Sequence, residues 1–548
     1  MRNETYAIIL SHYNGTENMK LVLRSRAFFW TALIAITLLG FGLRIYDIDR
    51  IPFGLYPDEA MNGVDALTAN ETGNYRLFYP DNYGREGLFI NIQALSIRAF
   101  GPTMPALKFP SIVFGTLAVL GIGLLAWELF QSRYAALIAA FLTATSYWAI
   151  NFSRIGFRAI MVPFLFSFSF FLFFRGLRTR KFLPFFLSGL FFGTGLHTYV
   201  AFRLAPLILV LLLPFLALSY ESFFRRFWKH ALVFILGAGL AAAPMFYLFA
   251  TEPDVFSSRS AAVSIFSPEV NGGNFWGTLG RTVGLSLIKY NFVGDMNWRH
   301  NYPPYPVLDP VSGIAFLGGF LFSIVFLLRL LRKRFRENRP DTELVAHAFL
   351  LIAFLVMLMP EFLTNEGLPH ALRSIGTQPS VFLFSTIPLL FLFRKANRSQ
   401  SGMKVGLILF ICIVLGVSAV WNTSKYFVFF ANNPAQYASF NAEYRNVADW
   451  FATLPDDTNK YVVPESFVAE QPIIYLTEGR ASHVMFIEPD TRIMTPAVIV
   501  QQRYRDTLIG NVRNVFPTAY ETRIDPLPGT GTAFTAIVIP GNDGRNHE

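Results

Sequence analysis

AFFWTALIAITLLGFGL, residues Ala27 to Leu43, gives way at once to a polar stretch from Arg44 to about Glu86, and this pair of segments decides the fold class. An apolar run of that length can cross a bilayer. Further runs of the same kind fall at about 107–127, 134–150, 159–174, 182–198, 204–219, 231–250, 311–328, 344–360, 375–393 and 404–421. The expectation is therefore a polytopic α-helical membrane protein with about eleven spans. Composition agrees, because 53% hydrophobic and 16% aromatic residues against 15% charged exceed what one aqueous core could hide.

Orientation follows from the basic residues, since basic loops resist translocation. Lys20, Arg24 and Arg26 precede the first run. Arg175, Arg178, Arg180 and Lys181 follow the fourth, Arg225, Arg226 and Lys229 the sixth, Arg329 to Arg339 the eighth, and Arg394 to Lys404 the tenth. These alternate loops share one face. The expectation is a plasma or inner membrane protein with a cytoplasmic N-terminal segment, 1–26, and a catalytic face outside. The net charge of +10 then reflects topology, and nucleic acid is excluded as a partner. The first run reads as a retained anchor. Cys412, the single cysteine, lies in the last run, so an intrachain disulfide is impossible.

Residues 27–421 form the expected membrane domain, with external loops at 44–106 and 251–310. An interfacial helix is expected at Glu86 to Phe100, and another from Asn274. Beyond Asn422 no run can span a membrane. The tail, 422–548, reads as a small extracytoplasmic α/β domain or, on the same pattern, a partly ordered cap. Tyr437 to Leu454 suggests a helix, and YVVP at Tyr461 and AIVIP at Ala536 suggest strands.

The first external loop places an acidic pair, Asp58 and Glu59, at the water and lipid boundary. Attack of a hydroxyl on an anomeric carbon needs a base, and a departing phosphate needs fixed cations. Arginine suits phosphate because its planar fork donates two bonds. Arg85, Arg154, Arg158, Arg203, Arg299 and Arg373 all fall near external ends of spans or in external loops, as do Glu86, His197, Tyr199, His300 and His370. Any one arginine at a helix end is ordinarily a snorkelling anchor, so the argument rests on the set. Asp47 and Asp49 form a DxD pattern, but interfacial solvation explains it, and the histidines lack metal-ligand spacing. No cofactor or metal is expected.

A first span, an external Asp-Glu pair, an interfacial helix, many further spans and an external tail together resemble the GT-C membrane glycosyltransferases. The layout is similar to the protein O-mannosyltransferases and the lipid A aminoarabinose transferases, in a prokaryotic branch. LYPDEAMNGVDAL from Leu55 and GLPHALRSIGTQPS from Gly367 carry the resemblance, which covers about 27–421 in layout. It implies a polyprenyl-phosphate sugar donor, inverting transfer, and Asp58 as base with Glu59 in support. Many relatives carry His-Pro-Pro or Glu-Lys-Pro-Pro where this chain has Gly84, Arg85, Glu86 and Gly87, so Arg85 stands for the basic residue and a catalytic role for Glu86 is left open.

The expected function is thus transfer of a sugar, hexosyl or pentosyl, to an extracytoplasmic lipid, glycan or protein hydroxyl. Two alternatives remain: a secondary transporter or flippase for a lipid-linked sugar, and a lipid-linked glycan ligase. A transporter normally carries midplane charges and repeated halves, neither of which is evident here.

Overall fold

The computed structural model describes residues 26–82, 84–253, 263–337, 341–487, 492–502, 507–525 and 533–541. Lys20, Arg24 and Arg339, parts of the orientation argument, lie outside the described residues, as do 254–262 of the 251–310 loop.

The helices are α1 (Arg26–Ile45), α2 (Pro57–Thr72), α3 (Gly87–Phe100), α4 (Met104–Phe130), α5 (Arg133–Thr145), α6 (Tyr147–Arg154), α7 (Met161–Thr179) and α8 (Phe182–Thr194). They continue as α9 (Ala205–Ser219), α10 (Phe223–Thr251), α11 (Pro268–Asn271), α12 (Phe275–Ile288), α13 (Pro310–Glu337), α14 (Thr342–Phe362), α15 (Gln378–Arg398) and α16 (Ser401–Ser424). Among the described residues nine helical segments are long and apolar enough to span. A tenth crossing is the pair α5 and α6, bent by 57° at Ser146, and the shorter apolar segment Phe182–His197 fills the eleventh expected position. Every expected run is therefore helical, but two of the eleven are not single full-length spans. The chain is a multi-pass membrane protein.

The bundle has two distinct ends. Short turns gather at one, where His230 bonds the carbonyl of Arg180 and Arg334 donates to the carbonyl of Leu218 at 2.8 Å. Long connections gather at the other, where Trp148 reaches the carbonyl of Ala371 and Tyr290 meets Thr377. Close helix approach depends on small residues, as expected inside lipid. A Cβ at Gly193 of α8 would collide with the carbonyl of Ala238 on α10, so those backbones touch. Outward faces are apolar, with Leu38, Leu240, Leu321 and Ile413 among the exposed residues.

Two short strands, β1 (Phe78–Tyr79) and β2 (Arg85–Glu86), pair antiparallel ahead of α3. Residue Pro57 begins α2, so Asp58 and Glu59 sit in the first turn of a helix rather than in the expected loop. Proline at the first position has no N–H to lose, and acids there are favoured by the helix dipole.

Helix α16 runs past the expected boundary at 421 and continues as a π-helical segment, Lys425–Phe430. The expected 437–454 helix is two helices, α17 (Pro434–Ser439) and α18 (Ala442–Phe451), broken at Phe440 and Asn441. Then come β3 (Asn459–Val463), α19 (Phe467–Thr477), β4 (Val484–Phe486), β5 (Ala497–Gln501), α20 (Thr507–Val515), β6 (Tyr520–Ile524) and β7 (Phe534–Ile539). The sheet order is β4-β3-β5-β7-β6, with β4, β3 and β5 parallel and β5, β7 and β6 antiparallel. YVVP and AIVIP supply β3 and β7, as their β-branched content predicts. The tail docks on α2, where a Cβ at Gly63 would meet the ring of Tyr475, whose hydroxyl bonds the carbonyl of Thr103 at 2.9 Å.

Candidate functional site

A cavity of about 380 Å³ opens at the end of the bundle that carries the long connections. Eight of the thirteen sequence-predicted residues line it: Asp58, Arg85, Arg158, Tyr199, Arg299, His300, His370 and Arg373. The start of α2 supplies Asp58, the 155–160 turn supplies Arg158, and the 295–301 and 366–373 segments close the other side.

Asp58 accepts from Tyr56 Oη at 2.8 Å and from Asn82 Nδ2 at 2.7 Å, one bond on each carboxylate oxygen. Among the described residues no cation lies within ion-pair distance of it. Two neutral donors and a helix N-terminus fix its direction without neutralising it. Burial and the nearby carboxylate push the Tyr56 phenol well above its ordinary value, so it stays a donor.

Each of three lining arginines pairs with a carboxylate, although Arg158 shares Glu86 with Arg203. Arg85 pairs with Asp65 at 2.5 Å and also donates to Asn62, Arg158 pairs with Glu86 at 2.8 Å, and Arg373 pairs with Glu366 and donates to Thr364 Oγ1. Arg299 is different. Its Nε bonds Asn297 Oδ1 at 3.2 Å and its guanidinium lies over the Tyr56 ring at 4.6 Å, but among the described residues no carboxylate pairs with it. It is the lining arginine that lacks a carboxylate partner among the described residues.

The other five predicted residues lie behind the lining. Glu86 is nearly buried between Arg158 and Arg203, whose Nη2 stands 3.1 Å from it. That pairing leaves Glu86 ill placed as a second base. Arg203 also lies over Phe249. Glu59 points away from the cavity and accepts the Gly156 N–H at 2.9 Å, and burial raises its carboxyl above the usual range. It holds the 155–158 turn against α2, where a Cβ on Gly156 would come 2.9 Å from its Cγ. His197 bonds the carbonyl of Ala241 at 2.8 Å.

Arg154 is fully buried and donates to the carbonyls of Leu43, Arg44, Tyr46, Asp47 and Ile51. A guanidinium so occupied ties the end of α1 to α6 and has little left for a phosphate. Of the DxD pattern, Asp49 pairs with Arg445 at 2.8 Å and so anchors the tail.

Sequence reasoning missed Asp295. It lies in the 251–310 external loop, five residues before His300, a spacing that marks nothing by itself. The fold brings His370 to the same point, and one atom from each of the three lies within 4.8 Å of the others. Two imidazoles and a carboxylate could hold a small divalent ion. The same atoms are also satisfied by hydrogen bonds, Asp295 Oδ2 accepting from Ala371 N–H at 2.7 Å and lying 3.0 Å from His300 Nδ1, and Oδ1 accepting from Asn297 N–H at 2.8 Å. Tyr56, Asn62 and Asn82 also line the cavity and were not anticipated.

Residues 88–247 match the family model described as dolichyl-phosphate-mannose-protein mannosyltransferase. Among solved structures, ArnT from Cupriavidus metallidurans in the apo state aligns with TM-score 0.53 and 13% identity, covering 94% of this chain and 98% of that one. The same protein bound to undecaprenyl phosphate aligns with TM-score 0.51 and 12% identity over the same shares. No curated protein matches the chain. The chain thus has the GT-C fold. It resembles the protein O-mannosyltransferase and ArnT-type membrane glycosyltransferases, in agreement with the motifs at Leu55 and Gly367.

Proposed function

We propose that this chain is a membrane glycosyltransferase that moves a sugar from a polyprenyl-phosphate donor to an acceptor hydroxyl on the extracytoplasmic side, with inversion. The observation that carries the reading is the joint presence, in one cavity of about 380 Å³, of a carboxylate and a guanidinium that have no ion-pair partner among the described residues, Asp58 and Arg299. Solved ArnT, similar in fold, is described as bound to undecaprenyl phosphate, which supports a lipid phosphate as the donor's leaving group.

Asp58 takes the proton of the acceptor hydroxyl as the new glycosidic bond forms, and Tyr56 and Asn82 aim it. Arg299 receives the charge that develops on the phosphate as the old bond breaks. Arg85, Arg158 and Arg373, each already paired with a carboxylate, shape the wall and lend spare N–H groups. The tail and the cavity lie outside, and the basic turns lie in the cytoplasm. The charged groups of the site cluster at one end of the bundle, which favours an enzyme at a membrane surface over a transporter with midplane charges.

Purified protein incubated with synthetic polyprenyl-phosphate sugars and an envelope extract as acceptor source tests the reading by mass spectrometry. Glycosylated acceptor appearing together with freed polyprenyl phosphate is expected. Donor left intact across a panel of sugars would overturn it.

A further inference from the structure

The opposite end of the bundle holds a second cavity, of about 510 Å³, that shares no residue with the first. Helix α7 begins at the first cavity and ends at the second, as does α15, while α14 runs the other way. Between the two, Phe166, Phe170, Phe349 and Leu350 pack as solid core, so they are not mouths of one channel.

The second cavity is built for an amphipathic ligand. Its wall includes Phe322 and Phe391, 41% and 63% exposed on the lipid-facing side of the bundle. Its polar rim carries Arg178, Arg180 and Arg394 against Glu128 and Glu343, an excess of one positive charge. That excess is not evenly spread. Arg178 is held by the nearly buried Glu128 through two hydrogen bonds, whereas neither Arg180 nor Arg394 has a carboxylate partner among the described residues. Among the described residues Arg394 makes a single 3.4 Å hydrogen bond, to the carbonyl of Phe130. Two guanidinium groups without a carboxylate partner among the described residues, over an aromatic wall that opens sideways into lipid, match a phosphate joined to acyl chains. Arg175 near the end of α7 and Lys181 in the turn that follows it help make this the basic face of the protein, where an anionic membrane surface is attracted.

We propose that this cavity binds the phosphate headgroup of an anionic phospholipid drawn from the leaflet opposite the glycosyl-transfer cavity, Arg180 and Arg394 holding the phosphate while the acyl chains lie against Phe322 and Phe391. The site is independent of the catalytic reading.

Native mass spectrometry of the full-length protein, equilibrated with phosphatidylglycerol and phosphatidylcholine in competition, reads it directly. The wild type should retain phosphatidylglycerol preferentially, and R180A/R394A should lose that preference by about tenfold. R180K/R394K should recover most of it, because the charge is kept. R332A/R336A, which removes two exposed arginines on the same face but outside the cavity, should leave it unchanged. Equal retention of both lipids by the wild type, undiminished preference in R180A/R394A, or an equal loss in R332A/R336A would each overturn the site. Inorganic phosphate raising the Tm as much as equimolar phosphatidylglycerol would reassign it to a free anion and overturn the lipid.

Discussion

Replacing Arg299 by alanine separates donor binding from folding more cleanly than any other change at the site. Its guanidinium has no carboxylate partner among the described residues, so truncation strands no buried charge among them. What is lost in the free protein is the bond to Asn297 Oδ1 and the contact over Tyr56, together about 1 kcal/mol at a half-buried position. Against a bound lipid phosphate the loss is a charge-assisted hydrogen bond, about 1.5 to 3 kcal/mol, or roughly 10- to 150-fold in Kd. Arg158→Ala supplies the contrast. It uncovers one oxygen of the nearly buried Glu86, a cost of about 3 kcal/mol in stability with Arg203 still on the other oxygen. Titration calorimetry of polyprenyl phosphate into each purified variant, with thermal unfolding on the same samples, reads both quantities. Arg299→Ala should bind weakly with a nearly unchanged Tm, and Arg158→Ala should lose Tm. Unchanged donor affinity in Arg299→Ala would refute the assignment of the unpaired guanidinium to the phosphate.

Further outcomes follow from the same geometry. Arg373→Ala should weaken donor binding less than Arg299→Ala, because Glu366 and Thr364 already occupy its guanidinium, and the two Kd values compared directly test this. Lys289→Met leaves Glu361 fully buried and uncompensated and should cost about 3 to 5 kcal/mol of stability, read by thermal unfolding. Burial raises the Glu59 carboxyl above its ordinary 4.5, so the folded state holds this proton more tightly than the unfolded one. Stability from this group is therefore greatest at low pH and is lost as pH rises from 4.5 through the raised value, and Glu59→Gln should flatten that part of the Tm against pH profile. Single cysteines placed in a Cys412→Ser background at 294–300 should label from outside, and those at 332–336 should not.

Much of the fold was legible because lipid imposes a simple code. Each apolar run from Ala27 onward became helix, and the β-branched runs at Tyr461 and Ala536 became strands. The break at Ser146 was hidden because 134–150 is apolar on both sides of it. The acidic pair was read as loop although Pro57 followed by two acids is a helix-start signal, and Gly73 in the left-handed region closes that helix. Site residues were harder. Arg154 and Arg158 look alike in sequence, but the carbonyls that consume Arg154 come from more than 100 residues away, and no local pattern encodes such a cage. The same holds for Arg299, which stands out only because the partners of its neighbours, Asp65, Glu86 and Glu366, are known from the packing.

The central claim is that Asp58 removes the acceptor proton while a cation holds the donor phosphate, and the single-turnover rate of Asp58→Asn tests it most directly. Asparagine keeps the size and can still bond Tyr56, but it has no basicity. With donor affinity and Tm measured on the same preparation, the account predicts near-normal binding and folding with transfer slowed about 100-fold or more. Near-normal transfer by Asp58→Asn would contradict it.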